Sequence, residues 1–187
     1  MKNFLAITTL VLSGAVLADE APAPAPALEE GSQAPEWTLP GSDGTVYALS
    51  ELLEEGPVVL AWFPKAFTPG CTIECKSLAE NGGMIREYKV SYFMASVDPI
   101  DDNSAFAAEY NADFPILSDE SKEVAQAYQV IGDWGVPRRE TFYIGTDGVI
   151  MAVDRKVNSK TAAEDIAATL ARLGVEKNAA ATSSAGQ

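Results

Sequence analysis

Apolar residues are spaced along this chain in two alternating ways, and the alternation predicts an α/β protein. Val58-Val-Leu-Ala-Trp-Phe63 is continuously apolar and β-branched at its start, as suits a parallel strand covered on both faces. Ser91 to Val97 is the next strand, and Phe114 to Leu117 a shorter one. Helical segments lie between and after them. One opens at Pro69 and meets Asn81-Gly82-Gly83, where each glycine costs about 1 kcal/mol relative to alanine, so a bend is expected before Met84 to Tyr88. A second runs from Asp101 to Asn111, with Ala105, Phe106, Ala108 and Tyr110 assigned to its buried face. A third covers Ser121 to Gln129 behind Asp119 as N-cap. Thr146-Asp-Gly148 separates Thr141 to Ile144 from Val149 to Asp154 and is the strongest hairpin signal in the chain. The last helix, Lys160 to Leu173, stops before Gly174. Upstream, Trp37-Thr-Leu39 reads as a short strand, Ser42-Asp-Gly-Thr45 as a turn, and Ser50 as the cap of a brief helix through Leu53. Parallel strand–helix–strand units closed by a hairpin and a helix predict a three-layer α/β/α sandwich around a mixed central sheet.

Both ends of the chain depart from this pattern. Met1-Lys2-Asn3, the apolar run Phe4 to Leu17, and Val16 and Ala18 at the minus-three and minus-one positions predict a signal peptide over residues 1–18. The run is too short to span a bilayer comfortably, so no membrane association is expected once it is cut after Ala18. Residues 19–30, with repeated Ala-Pro, read as an extended linker. The globular domain is expected over 31–175, and residues 176–187, small and polar, as a disordered tail. Export and a linker of this style point to the periplasm, where disulfides persist.

Charge and composition narrow the chemistry. With 13 basic and 27 acidic residues the formal charge is −14, which argues against nucleic acid and anionic membranes as partners. Histidine is absent, which removes Ser-His-Asp and Cys-His nucleophile pairs and the histidine-containing zinc and copper sites. Two cysteines cannot make a four-cysteine metal site, and no cofactor is implied.

Those cysteines, Cys71 and Cys75, fall where the apolar strand gives way to a helix. Thr68 is a good N-cap and Pro69 suits the first helical position, which places Cys71 third in the helix. Backbone N–H groups there lack intrahelical partners and the macrodipole is positive, a setting that favours a thiolate. Thr68 adds a hydroxyl, and Pro64 walls off one side. Cys75 follows at i+4, on the same face. Intact helix geometry holds two such Cβ atoms too far apart for an unstrained disulfide, so bridging them requires the first turn to open.

Proline, three residues, threonine, two residues, cysteine is the pattern of the peroxiredoxins, and the stretch PKAFTPGCTIEC resembles the Q-type, or bacterioferritin-comigratory, subfamily. The opening GSQAPEWTLPGSDGTVYALSELL is also similar to the peroxiredoxin start, so the likeness covers nearly all of the domain. It implies a thioredoxin-like fold, no cofactor, a monomer, and a peroxidase taking hydrogen peroxide or organic hydroperoxides and drawing electrons from a thioredoxin-like protein. Cys71 would be the peroxidatic thiolate, with Thr68 and Pro64 around it. Cys75 is either the resolving thiol or a structural one beside a one-cysteine mechanism; Q-type chains place their second cysteine five residues on, and here it is four. The family carries an arginine two residues before Thr-Phe, which matches Arg139 in VPRRETFYIG, with Arg138 the other candidate. Glu74 would orient that arginine or merely complement the helix dipole. Trp62, Phe63, Phe67 and Trp134 are expected to form an apolar collar, and Trp37 to pack the first strand.

Three other functions compete. A periplasmic thioredoxin-like thiol–disulfide oxidoreductase needs two cysteines separated by two residues, and this chain has CTIEC. A copper-delivering relative needs a distant histidine. A non-catalytic thioredoxin-fold binding module with a vestigial thiol pair is the third.

Overall fold

The computed structural model describes residues 28–178. The expected signal peptide and most of the linker lie outside them. Seven strands form two sheets. Thr38–Pro40 (β1) and Val46–Ala48 (β2) make a small antiparallel hairpin, and β2 is a strand that the sequence pattern did not disclose. The main sheet holds Val58–Trp62 (β3), Ser91–Ser96 (β4), Ile116–Ser118 (β5), Glu140–Ile144 (β6) and Ile150–Asp154 (β7), in the order β5-β4-β3-β6-β7. The β3–β4 and β4–β5 pairs are parallel, whereas β6 and β7 are antiparallel to their neighbours, giving the mixed sheet of a thioredoxin-like fold.

Helices cover both faces because every residue of β3 is buried and its side chains alternate between two cores. Val59, Ala61 and Phe63 join one core with Leu78 of Pro69–Asn81 (α2), Phe106 of Ile100–Glu109 (α3), and Ile166 and Leu170 of Ala162–Arg172 (α5). Val58, Leu60 and Trp62 join the other with Trp37, with Leu49 of Leu49–Glu55 (α1), and with Ala125 of Glu123–Ala127 (α4). Each large side chain so enclosed contributes roughly 1.5–3 kcal/mol of burial free energy.

Several expected boundaries shift for local reasons. α2 ends at Asn81 and a 3-10 turn follows over Gly82–Met84, the bend anticipated from the glycine pair. α4 is shorter than the pattern implied, because Lys122 and Gln129 both adopt left-handed backbone and bracket it. Asp119 supports that helix from outside its cap position, with Oδ2 accepting the Ala125 N–H at 2.7 Å. On α3 the buried positions are Asn103, Phe106 and Ala107, while Ala105 and Ala108 face solvent. The polar Asn103 masked the true phase. At the C-terminus, Glu176 to Asn178 lie against Glu87–Lys89 instead of leaving the fold. Lys89 N–H donates to the Glu176 carbonyl at 2.7 Å, and the Asn178 side chain donates to the carbonyls of Arg86 and Tyr88. Leu28 likewise packs on the second core, its carbonyl accepting from Arg155.

Candidate active site

β3 runs directly into the loop that opens α2, and β6 begins beside the same end of β3 because the two strands are antiparallel, with Trp62 opposite Glu140. This topology brings together residues that are 68 positions apart. Cys71 is third in α2, following Pro69 at the first helical position, with Thr68 as the extended N-cap residue. The N–H groups of Gly70 and Cys71 precede the first intrahelical bond, which Thr72 N–H makes to the Thr68 carbonyl at 2.9 Å. The Thr68 hydroxyl does not cap the helix: it donates to the Lys65 carbonyl at 2.9 Å, leaving lone pairs free to accept.

Arg139 bridges the site. One terminal nitrogen, Nη2, lies 3.2 Å from Cys71 Sγ, and the other donates to Glu74 Oε2. Cys71 and Glu74 are each 1% exposed, so the guanidinium is held in a closed setting where its charge is poorly screened. Glu74 is therefore an interior partner of Arg139 and not a surface residue. Gly70 makes room for this arrangement, since a Cβ there would stand 3.3 Å from Arg139 Nη2.

Arg138 points away from the thiol. Its Nε donates to Glu140 Oε1 at 2.8 Å, and its terminal nitrogens donate to the carbonyls of Ile131 and Gln129. Cys75 is fully buried in the same core as Cys71, and both thiols are free. Burial, with Cys71 beside it, pushes the Cys75 thiol up to about 12.

The expected apolar collar is only partly assembled. Phe63 shares the core with Cys71, and Phe67 packs edge-on against Phe106 at 5.2 Å between ring centroids. Trp62 faces the opposite core, as its place in the strand alternation requires, and Trp134 is 92% exposed at the tip of a turn closed by the Gly135 N–H to the Gly132 carbonyl. Pro64 is half-buried in the loop before Thr68. A groove of about 620 Å³ lies at the other end of the sheet, between Pro57, Lys89, Gly145 and Gly174, and contains neither cysteine. Among the described residues no cluster of three or more metal-ligating side chains occurs.

The sequence profile of the AhpC/TSA family matches residues 31–153, a span that includes every residue of this site. The chain belongs to that family. Within it, a putative peroxiredoxin of Mycobacterium tuberculosis is 35% identical over 130 residues, covering 67% of this chain and 84% of its own. Peroxiredoxin Bcp of Escherichia coli K12 is 33% identical over 131 residues, 66% of this chain and 83% of that one. The crystal structure of peroxidoxin BcpB from Mycobacterium tuberculosis superposes with a TM-score of 0.71 at 33% identity, over 78% of this chain and 97% of its own. This peroxiredoxin is thus a thiol-dependent peroxidase of Bcp and Q-type kinship.

Two residues that matter for the site's construction, Ser96 and Asp98, were not singled out from the sequence. The one available signal was a carboxylate directly after an apolar strand, which is an ordinary feature of strand ends.

Proposed function

We propose that Cys71 is the peroxidatic residue, reducing hydrogen peroxide and organic hydroperoxides, and that Cys75 resolves the oxidised sulfur. The carrying observation is the 3.2 Å approach of Arg139 Nη2 to Cys71 Sγ at the start of α2. A thiolate there faces orphan N–H groups and a guanidinium, both of which stabilise negative charge. Its electron pair attacks the distal peroxide oxygen, the O–O bond breaks, and the departing alkoxide or hydroxide takes a proton from solvent, since the chain has no histidine. Arg139 stabilises the charge that builds across the three reacting atoms. Thr68, with its proton committed to Lys65, presents an acceptor to the peroxide O–H.

The product is a sulfenic acid on Cys71. The Cys75 sulfur then displaces its hydroxyl, forming the S–S bond and releasing water. Cβ atoms at i and i+4 stand about 5–6 Å apart in a helix, against about 3.8 Å in a disulfide, so the first turn of α2 opens for this step. Opening also exposes Cys75 and lets it ionise. A thioredoxin-like dithiol returns both sulfurs to the reduced state by exchange. Export to the periplasm would place that exchange among periplasmic donors.

Intact mass tests the scheme. One equivalent of hydrogen peroxide should remove about 2 Da from the reduced wild-type protein within seconds and add about 16 Da to Cys75→Ser, the masses of a disulfide and a sulfenic acid. If Cys71→Ser is oxidised as fast as wild type, Cys71 is not the peroxidatic residue. If Cys75→Ser is recycled by a dithiol at the wild-type rate without passing through sulfenic acid, Cys75 does not resolve.

A further inference from the structure

Asp98 lies just past the end of β4, is 7% exposed, and takes no part in the chemistry above. Its Oδ2 accepts the Ala66 backbone N–H at 2.8 Å and the Ser96 hydroxyl at 2.9 Å. Ser96 Oγ in turn accepts from the Asp98 N–H and from Asn103 Nδ2, each at 3.1 Å. Asn103, fully buried on α3, also donates to the Leu117 carbonyl at 3.1 Å and to Ser118 Oγ at 2.8 Å. These bonds tie β4, β5 and α3 to a single point of the loop between Phe63 and Pro69.

That loop needs holding. Phe67 has a φ of 61°, a left-handed backbone that a bulky aromatic residue rarely adopts, and its side chain is 46% exposed. Strained backbone persists only where its surroundings over-determine it. On one side Phe67 has the edge contact to Phe106; on the other, the neighbouring Ala66 N–H is anchored by Asp98. Within the described residues the Asp98 carboxylate is met by N–H and O–H dipoles, not by a cation, so its charge strengthens those bonds and nothing else.

We infer that Asp98 is a positioning residue for the peroxidase reaction, fixing the Pro64–Thr68 loop through the Ala66 N–H so that Thr68 is presented beside Cys71. The inference rests on Cys71 being the peroxidatic residue. It predicts a selective defect, because a reagent that needs only the thiolate does not need Thr68 or Pro64 in place.

The test compares two second-order rate constants of the reduced protein, one for hydrogen peroxide and one for iodoacetamide, at a temperature where each variant is folded. Asp98→Ala should lose about tenfold or more against peroxide, as expected when a reacting group is displaced by a fraction of an ångström, while alkylation stays within about twofold. Asp98→Asn keeps an acceptor oxygen and should recover most of the peroxide rate. Ser96→Ala, which frees the carboxylate from one of its two donors, should show a smaller loss of the same selective kind and serves if Asp98→Ala does not fold. An unchanged peroxide rate in these variants, or an equal fall in both rates, overturns the inference. A wild-type protein that reacts no faster with peroxide than with iodoacetamide removes the peroxidatic reading itself.

Discussion

Arg138 and Arg139 are adjacent in sequence and serve opposite faces of the sheet, one donating to Glu140 at 2.8 Å and the other reaching Cys71 at 3.2 Å. The alternation of side chains entering β6 makes this division of labour. Arg139→Ala should lower the second-order rate with hydrogen peroxide by about 10²–10³-fold, the usual consequence of losing one electrostatic stabiliser of a transition state. Arg139→Lys should restore only part of it, because a single ammonium cannot engage Glu74 and Cys71 together. Stopped-flow measurement of tryptophan emission or a competition assay reads both.

Arg138→Ala should behave differently. It leaves buried Glu140 with Arg155 alone, at 3.3 Å, and removes two bonds to the loop carbonyls. The expected result is a loss of about 1–2 kcal/mol in urea melts, with the peroxide rate within a few-fold of wild type.

Gly70→Ala separates stability from activity. Alanine is the better helix former by up to about 1 kcal/mol, so the melting midpoint should hold or rise. The new methyl would meet Arg139 Nη2 at 3.3 Å, and the guanidinium must move by a few tenths of an ångström. A peroxide rate about tenfold lower, in a protein no less stable, is the expected signature of that displacement.

Cys75 makes stability depend on alkaline pH. Its folded pKa is raised to about 12 from the ordinary value of 9.0, so the folded state holds a proton that the unfolded chain releases as pH climbs past about 9. Stability from this group is complete below about 9 and is lost as pH rises toward about 12. The slope should be roughly 1 kcal/mol per pH unit in that window. Tyr92 and Tyr143 are raised to about 12 as well, so the contribution of Cys75 is the difference between wild type and Cys75→Ala. Denaturant melts of both proteins at pH 8, 9 and 10 measure it.

Truncation after Val175 tests where the domain ends. It removes the Glu176 carbonyl that accepts from Lys89 and the three bonds made by Asn178. A stability loss of about 2 kcal/mol is expected, with no change in peroxide rate.

The sheet, the helix carrying both cysteines, and the hairpin at Gly148 were legible because each has a dense local signature: a β-branched apolar run, a threonine–proline start, an Asp-Gly turn. Cys71, Thr68 and Pro64 were legible through their spacing. Choosing between Arg138 and Arg139 rested on the family pattern, since two adjacent arginines before a strand carry no local cue to which face each takes. What stayed hidden was long-range. β2 is only three residues and acquires its meaning from pairing with β1. Asn103 and Asp98 read as surface polar residues until the fold surrounds them with donors and acceptors from other segments. Trp62 was misassigned to the site because strand phase, and not nearness in sequence, decides which core an indole enters.

Trp134 is 92% exposed on the turn that leads into Arg138 and Arg139, whereas Trp37 and Trp62 are 3% and 0% exposed. The molecule thus carries one solvent-facing fluorophore and two interior ones, with no label required. Iodide should quench the first and spare the others, and any macromolecule that settles over that turn would announce itself by shielding it.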